Sequence, residues 1–299
     1  MLNFIESKLE DFDYILNQKI KTNDNHKELE IQIGNYLDKY KIVMLDDKRI
    51  GYYLVRGFED GTLIDEIFIE DEYQDEDYER VIIEQIVCNN DNVITFVDRN
   101  NKRLISLFKE SNFTEVEDEN DRIHLEYKIK NRAKQIMNIM KKIKYGFVDH
   151  DNGIHRTLKD DVENLLKLQS PDELMESKVG LCWDQVELER DLFSSSGYSC
   201  NSFVIVYTDV KRFKNHTFLI YQDRGLYYWF EHAWEKMEGI HVFKTPEEAL
   251  ERVRENFIKE ELHGECEEEA LHFFTYSKPK FGISCNEFIQ HFLSSDEIK

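Results

Sequence analysis

The stretch GLCWDQVELERDLFSSSG, residues 180–197, decides the architecture of the second half of the chain. It predicts a helix that runs to about Ser195 and ends at Gly197, because glycine is favoured just after the last helical residue. Cys182 therefore falls in the first turn. A helix N-terminus favours the thiolate form of a cysteine, and its free backbone N–H groups can donate to an oxyanion.

Three strand-like segments follow this helix, at residues 201–207, 216–221 and 226–234, and a hairpin-compatible turn joins the last two. His216 begins the second segment, which is otherwise built for burial, and is the leading candidate for a general base. Glu231 lies in the neighbouring strand, where hairpin pairing can bring it alongside to orient the imidazole. Asp223 is nearer in sequence but falls in the turn.

These residues resemble the transglutaminase-like superfamily over about residues 150–290. The resemblance rests on the Gly-x-Cys-Trp opening, the histidine at a strand start, and the aromatic-rich strand that ends in an acid. It implies a papain-like helix plus antiparallel sheet, with Cys182 as nucleophile, His216 as general base and Glu231 as orienting acid. The acid in that family is usually Asp, so Glu231 is a departure. Trp183 is a candidate for lining a substrate cleft, and burial in the core is the alternative.

The other cysteines and histidines show no pattern of a metal site. Five cysteines are widely spaced without a CxxC pair, which predicts neither a disulfide framework nor a zinc site and favours a reducing, cytoplasmic compartment. No HExxH or paired-ligand spacing occurs among the histidines. His232 follows Glu231 directly and is expected on the opposite face of the strand, away from catalysis. We predict no metal.

The first half of the chain alternates helical and strand-like segments. Helices are predicted at residues 28–38, 75–88 and 100–110, and strands at 40–45, 50–55, 64–69, 93–97 and 123–129. The turn at residues 46–48 predicts a hairpin between the first two strands. This pattern indicates an α+β unit with parallel pairing at its centre.

Residues 28–128 resemble the GNAT-type N-acetyltransferase fold, which implies a mixed sheet with helices. The resemblance rests on the segments at residues 50–53 and 64–69, the following helix, Asn100, Phe108 and residues 112–113. Active members carry small residues before the central helix, where bare backbone amides hold the pyrophosphate of acetyl-CoA. This chain has Asp77 and Glu79 there, and residues 64–84 contain ten acids against Arg80 alone. We therefore expect no acetyl-CoA binding and no other cofactor.

Length and charge bound the remaining possibilities. The 299 residues predict two domains, at 1–128 and 149–299, joined by a basic amphipathic connecting helix at 129–148. The net charge of -22 disfavours nucleic acid and anionic lipid, and favours a basic protein partner, although a solvated acidic surface explains it equally well. The N-terminus is unlike a signal peptide, and no run approaches the roughly 18 apolar residues of a membrane span. These features predict a cytoplasmic protein.

The sequence thus predicts a cysteine enzyme that cleaves or transfers an amide or acyl bond of a peptide or protein through a thioacyl intermediate. Hydrolysis is favoured over transfer because water suffices as the second nucleophile. Two alternatives stay open: a non-catalytic protein-binding module that retains the fold, and an N-acetyltransferase that works through the first domain.

Overall fold

A computed structural model describes residues 1–21, 25–59, 61–119, 121–128, 131–149, 153–155 and 166–298 of the chain. The chain divides into two compact units, Met1–Ile129 and Lys130–Lys299. Each unit combines helices with one large sheet, so the α+β class predicted from the sequence is confirmed. Among these residues, no helix has the length and apolar character that crossing a bilayer requires.

The first unit contains one large sheet and several helices. Its strands are β1 (Leu2–Glu6), β2 (Tyr40–Leu45), β3 (Lys48–Phe58), β4 (Gly61–Ile69), β5 (Val93–Asp98), β6 (Phe113–Glu119) and β7 (Arg122–Tyr127). Its helices are α1 (Phe12–Ile20), α2 (His26–Tyr36), α3 (Tyr78–Asn89) and α4 (Lys102–Glu110).

The sheet of this unit is mixed, with strands in the order β1-β2-β3-β4-β5-β7-β6. Neighbouring strands are antiparallel except for β4 and β5, which run parallel at the centre. A parallel pair needs a crossover connection, and α3 supplies it with a buried face that includes Val81, Ile82 and Val87. The parallel pairing covers only residues 62–64 of β4, so the two strands diverge towards their C-terminal ends.

Some elements of the first unit differ from the prediction. β1 was not predicted, because its residues pair with residues of β2 that lie 35 to 43 positions further along the chain. β6 was not predicted either, since its sequence, FTEVEDE, carries the charges typical of an edge strand. α3 begins at Tyr78, three residues late, because a 3-10 turn over Asp71–Glu76 and a left-handed Asp77 (φ 59°) precede it.

The second unit has its own sheet, flanked by helices. Its helices are α5 (Arg132–Met140), α6 (Pro171–Ser177), α7 (Cys182–Ser195), α8 (Pro246–Glu260) and α9 (Cys285–Leu293). Its strands are β8 (Lys144–Tyr145), β9 (Phe147–Val148), β10 (Ile154–His155), β11 (Val179–Gly180), β12 (Ser199–Thr208), β13 (Phe213–Asp223), β14 (Leu226–Glu231), β15 (Gly239–Phe243), β16 (Leu271–Tyr276) and β17 (Glu297–Ile298).

Six of these strands form an antiparallel sheet in the order β15-β14-β13-β12-β16-β17. Alternate side chains of β12 pack in two different cores, because successive side chains of a strand point to opposite faces of the sheet. Phe203 and Ile205 pack in the core that α8 covers, whereas Val204 and Val206 pack in the core that includes the start of α7 and one side of α9. The central strand is therefore buried on both faces.

Several boundaries of the second unit differ from the prediction. The expected connecting helix at residues 129–148 is the shorter α5, which lies within the second unit and packs on α7. The helix expected near residues 158–168 falls mostly outside the described residues. The strands β15, β16 and β17 and the helices α8 and α9 were not predicted. β13 extends to Phe213 because it pairs with β12 as far as Thr208, so His216 is its fourth residue rather than its first.

Candidate active site

Cys182 is the first residue of α7, and its position depends on a buried carboxyl group in the same turn. Asp184 accepts hydrogen bonds from the backbone N–H groups of Leu181 and Gln169, both at 2.8 Å, and so joins the helix start to the preceding loop. Burial raises the pKa of Asp184 to about 7. The two N–H donors act in the opposite direction, because they stabilise the carboxylate form, but their effect is smaller. A side chain on Gly180 would collide with this aspartate, since an added Cβ would lie 2.9 Å from its Cβ.

His216 and Glu231 meet in the interior of the unit. His216 lies on β13 and Glu231 ends β14, and the pairing of these strands places the His216 Nε2 2.8 Å from the Glu231 Oε2. The glutamate is only 2% exposed, and it also accepts hydrogen bonds from the Trp229 indole at 3.2 Å and the Trp234 backbone N–H at 2.8 Å. Three donors therefore hold the Glu231 carboxyl group in place.

His216 also interacts with Cys182. Burial opposes a charge on the imidazole, but the Glu231 carboxylate and the hydrogen bond with Cys182 outweigh it and raise the pKa of His216 to about 10. Burial likewise opposes ionisation of the thiol, whereas the hydrogen bond and the charge of His216, followed by hydrogen bonds with Thr217, lower the pKa of Cys182. These opposite shifts favour a thiolate beside an imidazolium at neutral pH.

Aromatic side chains surround the His216 ring where it meets Glu231. The Trp234 ring meets the His216 ring edge-on at 5.1 Å between centroids, and the Phe218 ring lies parallel to the imidazole at 6.4 Å. Water is largely excluded from such surroundings, so the ion pair of His216 and Glu231 is weakly screened. The same enclosure fixes the orientation of the imidazole.

A second buried carboxyl, Glu189, lies on α7 two turns after Cys182. Burial, followed by the negative charge of Glu231, raises the pKa of Glu189 well above the ordinary carboxyl range. Burial therefore favours the neutral form of Glu189. Glu231 remains the carboxylate that bonds the imidazole of His216.

The structure brings together Cys182, His216 and Glu231, which lie up to 49 positions apart in the sequence. Trp183 does not join them. It is 5% exposed, its ring packs against Phe288 at 5.0 Å, and it belongs to a core cluster, so the expectation that it lines a substrate cleft is wrong. The reason is the helical turn: one residue after Cys182, the side chain points about 100° away, into the core.

His232 and Asp223 take no part in the group. His232 follows the end of β14, and its Nδ1 lies 2.6 Å from the Gln185 side-chain oxygen. The same glutamine donates to the Gly180 carbonyl at 2.9 Å, so this contact supports the start of α7. Asp223 ends β13 and contacts Arg224 at 3.2 Å, away from the imidazole.

Some contributors were missed in the sequence. Trp229 precedes Glu231 by two residues, and the period of a strand would have placed both on one face. Thr217 follows His216 on β13 and lies near enough to Cys182 to lower the pKa of its thiol, and no sequence signal marked it. Trp234 also contacts the site, through its backbone N–H, which bonds Glu231, and through its ring, which meets the His216 ring.

In the first unit, Asp77 and Glu79 occupy the positions before the central helix at which active GNAT-type enzymes carry small residues. Glu79 is 4% exposed at the start of α3, and the Arg103 guanidinium on α4 donates to both of its oxygens, one at 2.8 Å. Asp77 is exposed and adopts a positive φ of 59°. The carboxylate and guanidinium groups thus satisfy each other inside the unit. No cluster of three metal-ligating side chains occurs in the described parts of either unit.

Comparisons with known proteins match the first unit. No protein-family model and no curated protein matches the chain. Solved structures that cover its N-terminal 42–44% include a GNAT-family acetyltransferase from Bacillus cereus, at 17% identity over 44% of this chain and 99% of that chain, with a TM-score of 0.38. Another is the ribosomal-protein-S18-alanine N-acetyltransferase from Escherichia coli, at 13% identity over 44% and 97%, with a TM-score of 0.36.

A third similar structure is the PaiA N-acetyltransferase from Thermoplasma acidophilum in complex with coenzyme A. It is 11% identical over 43% of this chain and 99% of that chain, with a TM-score of 0.35. The N-terminal 44% of the chain thus resembles the GNAT acetyltransferase fold. These are likenesses of the first unit alone, and they do not extend to Cys182, His216 or Glu231.

Proposed function

We propose that the second unit is a cysteine enzyme of the transglutaminase-like type, which cleaves or transfers an amide or acyl bond of a peptide or protein. The single observation that supports this proposal most is the buried hydrogen bond between His216 and Glu231, with Cys182 close enough to His216 for each to shift the pKa of the other. A nucleophile, a base within hydrogen-bond reach and a group that orients the base are the parts that covalent catalysis requires.

The first half of the reaction forms a thioester. The Cys182 thiolate attacks the substrate carbonyl carbon, a C–S bond forms, and the carbonyl oxygen becomes an oxyanion near the free N–H groups at the start of α7. Collapse of this intermediate breaks the bond to the leaving group, and the His216 imidazolium gives its proton to the departing nitrogen. Glu231 holds the imidazole in place throughout.

The second half releases the acyl group. The neutral imidazole of His216 takes a proton from water, and the resulting hydroxide attacks the thioester carbon. The C–S bond breaks, the Cys182 thiolate is restored, and the imidazole keeps the proton for the next cycle. An amine in place of water would give transfer instead of hydrolysis, and we favour hydrolysis because it requires no acceptor site.

Thiol reactivity tests the proposal directly. Iodoacetamide at pH 7 should alkylate Cys182 faster than Cys200, Cys266 and Cys285, which are also partly exposed and serve as internal controls. Replacement of His216 by alanine should remove this advantage, since it takes away the cation beside the sulfur. Equal rates at all four cysteines, unaffected by the substitution, would support the non-catalytic binding module in its place.

A second candidate function is N-acyl transfer by the first unit. The observation that favours it is the divergence of β4 and β5, which leaves an opening between two parallel strands. The ion pair of Glu79 with Arg103 and the exposed Asp77 oppose a bound pyrophosphate, because carboxylates repel phosphate. Titration calorimetry of acetyl-CoA into the full chain tests whether the opening between β4 and β5 or the repulsion by these carboxylates prevails. We expect no saturable heat, and micromolar binding would support N-acyl transfer by the first unit.

A further inference from the structure

One tyrosine lies beside the nucleophile without belonging to the hydrogen-bonded group. Tyr145 is in β8, which pairs in parallel with β11 so that Tyr145 faces Gly180 across the ladder. The Gly146 backbone N–H donates to the Gly180 carbonyl at 3.3 Å and closes this short pairing. Since β11 runs straight into Leu181 and Cys182, the pairing fixes Tyr145 next to the first turn of α7.

The phenol of Tyr145 is available to a ligand. Its side chain is 47% exposed, and among the described residues its hydroxyl has no hydrogen-bond partner. The negative charge of Cys182, followed by burial and then by the charge of Glu261, raises the pKa of Tyr145 far above its ordinary value. Of all neighbouring charges, that of the sulfur acts most strongly on the phenol. The hydroxyl therefore keeps its proton and can donate it in a hydrogen bond.

Attack by Cys182 moves negative charge from the sulfur to the substrate oxygen. The backbone N–H groups at the start of α7 can meet that oxygen from one side, but oxyanion sites generally combine such a group with a second donor. Gln169, which precedes the helix, is unsuited because its side chain already bonds the Val179 carbonyl at 2.9 Å and the Ser177 hydroxyl at 2.9 Å. Tyr145 lies beside the first turn of α7, which begins at Cys182, and among the described residues its hydroxyl has no hydrogen-bond partner.

We infer that the Tyr145 hydroxyl is the second oxyanion donor and hence a catalytic residue of the second unit. As the C–S bond forms, the O–H group of Tyr145 donates a hydrogen bond to the carbonyl oxygen, which becomes negatively charged. The neutral phenol gives up no proton in this step, so the proton balance at His216 is unchanged. This inference rests on the proposed function and assigns a role that the Cys182, His216 and Glu231 group leaves open.

Two chemical probes of Cys182 in the full chain separate this role from thiol activation. p-Nitrophenyl acetate acylates the sulfur through a tetrahedral oxyanion and releases p-nitrophenolate, whose absorbance gives the rate. Iodoacetamide alkylates the same sulfur by displacing iodide from a saturated carbon, so no oxyanion forms. Mass spectrometry of the peptide that contains Cys182 locates both modifications among the five cysteines.

Replacement of Tyr145 by phenylalanine should slow acylation about 100-fold, as loss of one oxyanion donor does, and leave alkylation within about twofold. Tyr227→Phe, at the far end of β14 from Glu231, is the matched control and should change neither rate. Unchanged acylation in Tyr145→Phe, or an equal fall of both rates, would overturn the assignment. Slow reaction of the wild-type protein with both probes would instead overturn the proposed function, and the role of Tyr145 with it.

Discussion

Replacement of Glu231 by glutamine changes the charge beside His216 while keeping the size of the side chain. The amide oxygen can still accept from the imidazole, but it carries no negative charge to favour the imidazolium. The NH2 group of the glutamine would also face the backbone N–H of Trp234, a donor that now bonds Glu231 Oε1 at 2.8 Å. Both effects lower the pKa of His216 and weaken the thiolate of Cys182.

The magnitude follows from the kind of interaction lost. A hydrogen bond to a charged group contributes about 1.5 to 3 kcal/mol, and this one is 2.8 Å long between side chains that are 11% and 2% exposed. Since about 1.4 kcal/mol corresponds to a factor of ten, the population of the thiolate and imidazolium pair should fall roughly 10- to 100-fold. The rate of alkylation at pH 7 should fall by the same factor.

The assay is the second-order rate of alkylation of Cys182 by iodoacetamide, followed from pH 5 to pH 10. The wild-type rate should reach its plateau below the ordinary pKa of a thiol, and Glu231→Gln should move the rise to higher pH. Asp223→Asn removes one carboxylate from the hairpin turn of the same sheet and is the control for net charge. Superimposable profiles of wild type and Glu231→Gln would refute the assignment of Glu231 as the group that maintains the ion pair.

Three further predictions concern neighbouring groups. In a nuclear magnetic resonance titration of the histidine rings, His216 should stay protonated at pH 8 and lose its proton near pH 10. Burial lowers the pKa of His241, which should be neutral at pH 8 and serves as the comparison. A neutral His216 ring at pH 8 would contradict the ion pair. Gly180→Ala should lower the free energy of unfolding, measured in urea, by about 1 to 3 kcal/mol. The reason is that the new Cβ would lie 2.6 Å from a methyl group of Leu174 and 2.9 Å from the Cβ of Asp184. An unchanged midpoint of urea unfolding would refute this crowding. Arg103→Ala should lower the free energy of unfolding by about 1 to 3 kcal/mol in the same assay, because it leaves the buried carboxylate of Glu79 without the guanidinium donor. An unchanged free energy of unfolding would contradict this and would mean that water replaces the guanidinium.

The sequence determined the features whose causes lie within a few residues. The limits of α7 agree with the prediction because an acid in its first turn accepts backbone N–H groups at its start, and Gly197 adopts a positive φ of 86° just after its end. The hairpin of β2 and β3 was predicted for the same reason, since the turn between them contains Asp46 at a φ of 50°. The order of helix, histidine strand and acid strand was also legible in the sequence.

Only the tertiary structure decided which side chains meet at Cys182. The parallel pairing of β8 with β11 brings in Tyr145 from 37 positions away, at a segment whose sequence predicted the end of a helix. The carboxylate of Glu231 acquires its donors from β13, from β14 and from the residues just after β14. Trp183 acquires its place in the core from the packing of the start of α7 against the sheet and α9. Periodicity and capping report on neighbours along the chain, whereas these contacts depend on strand register and on the packing of distant segments, which no local pattern specifies.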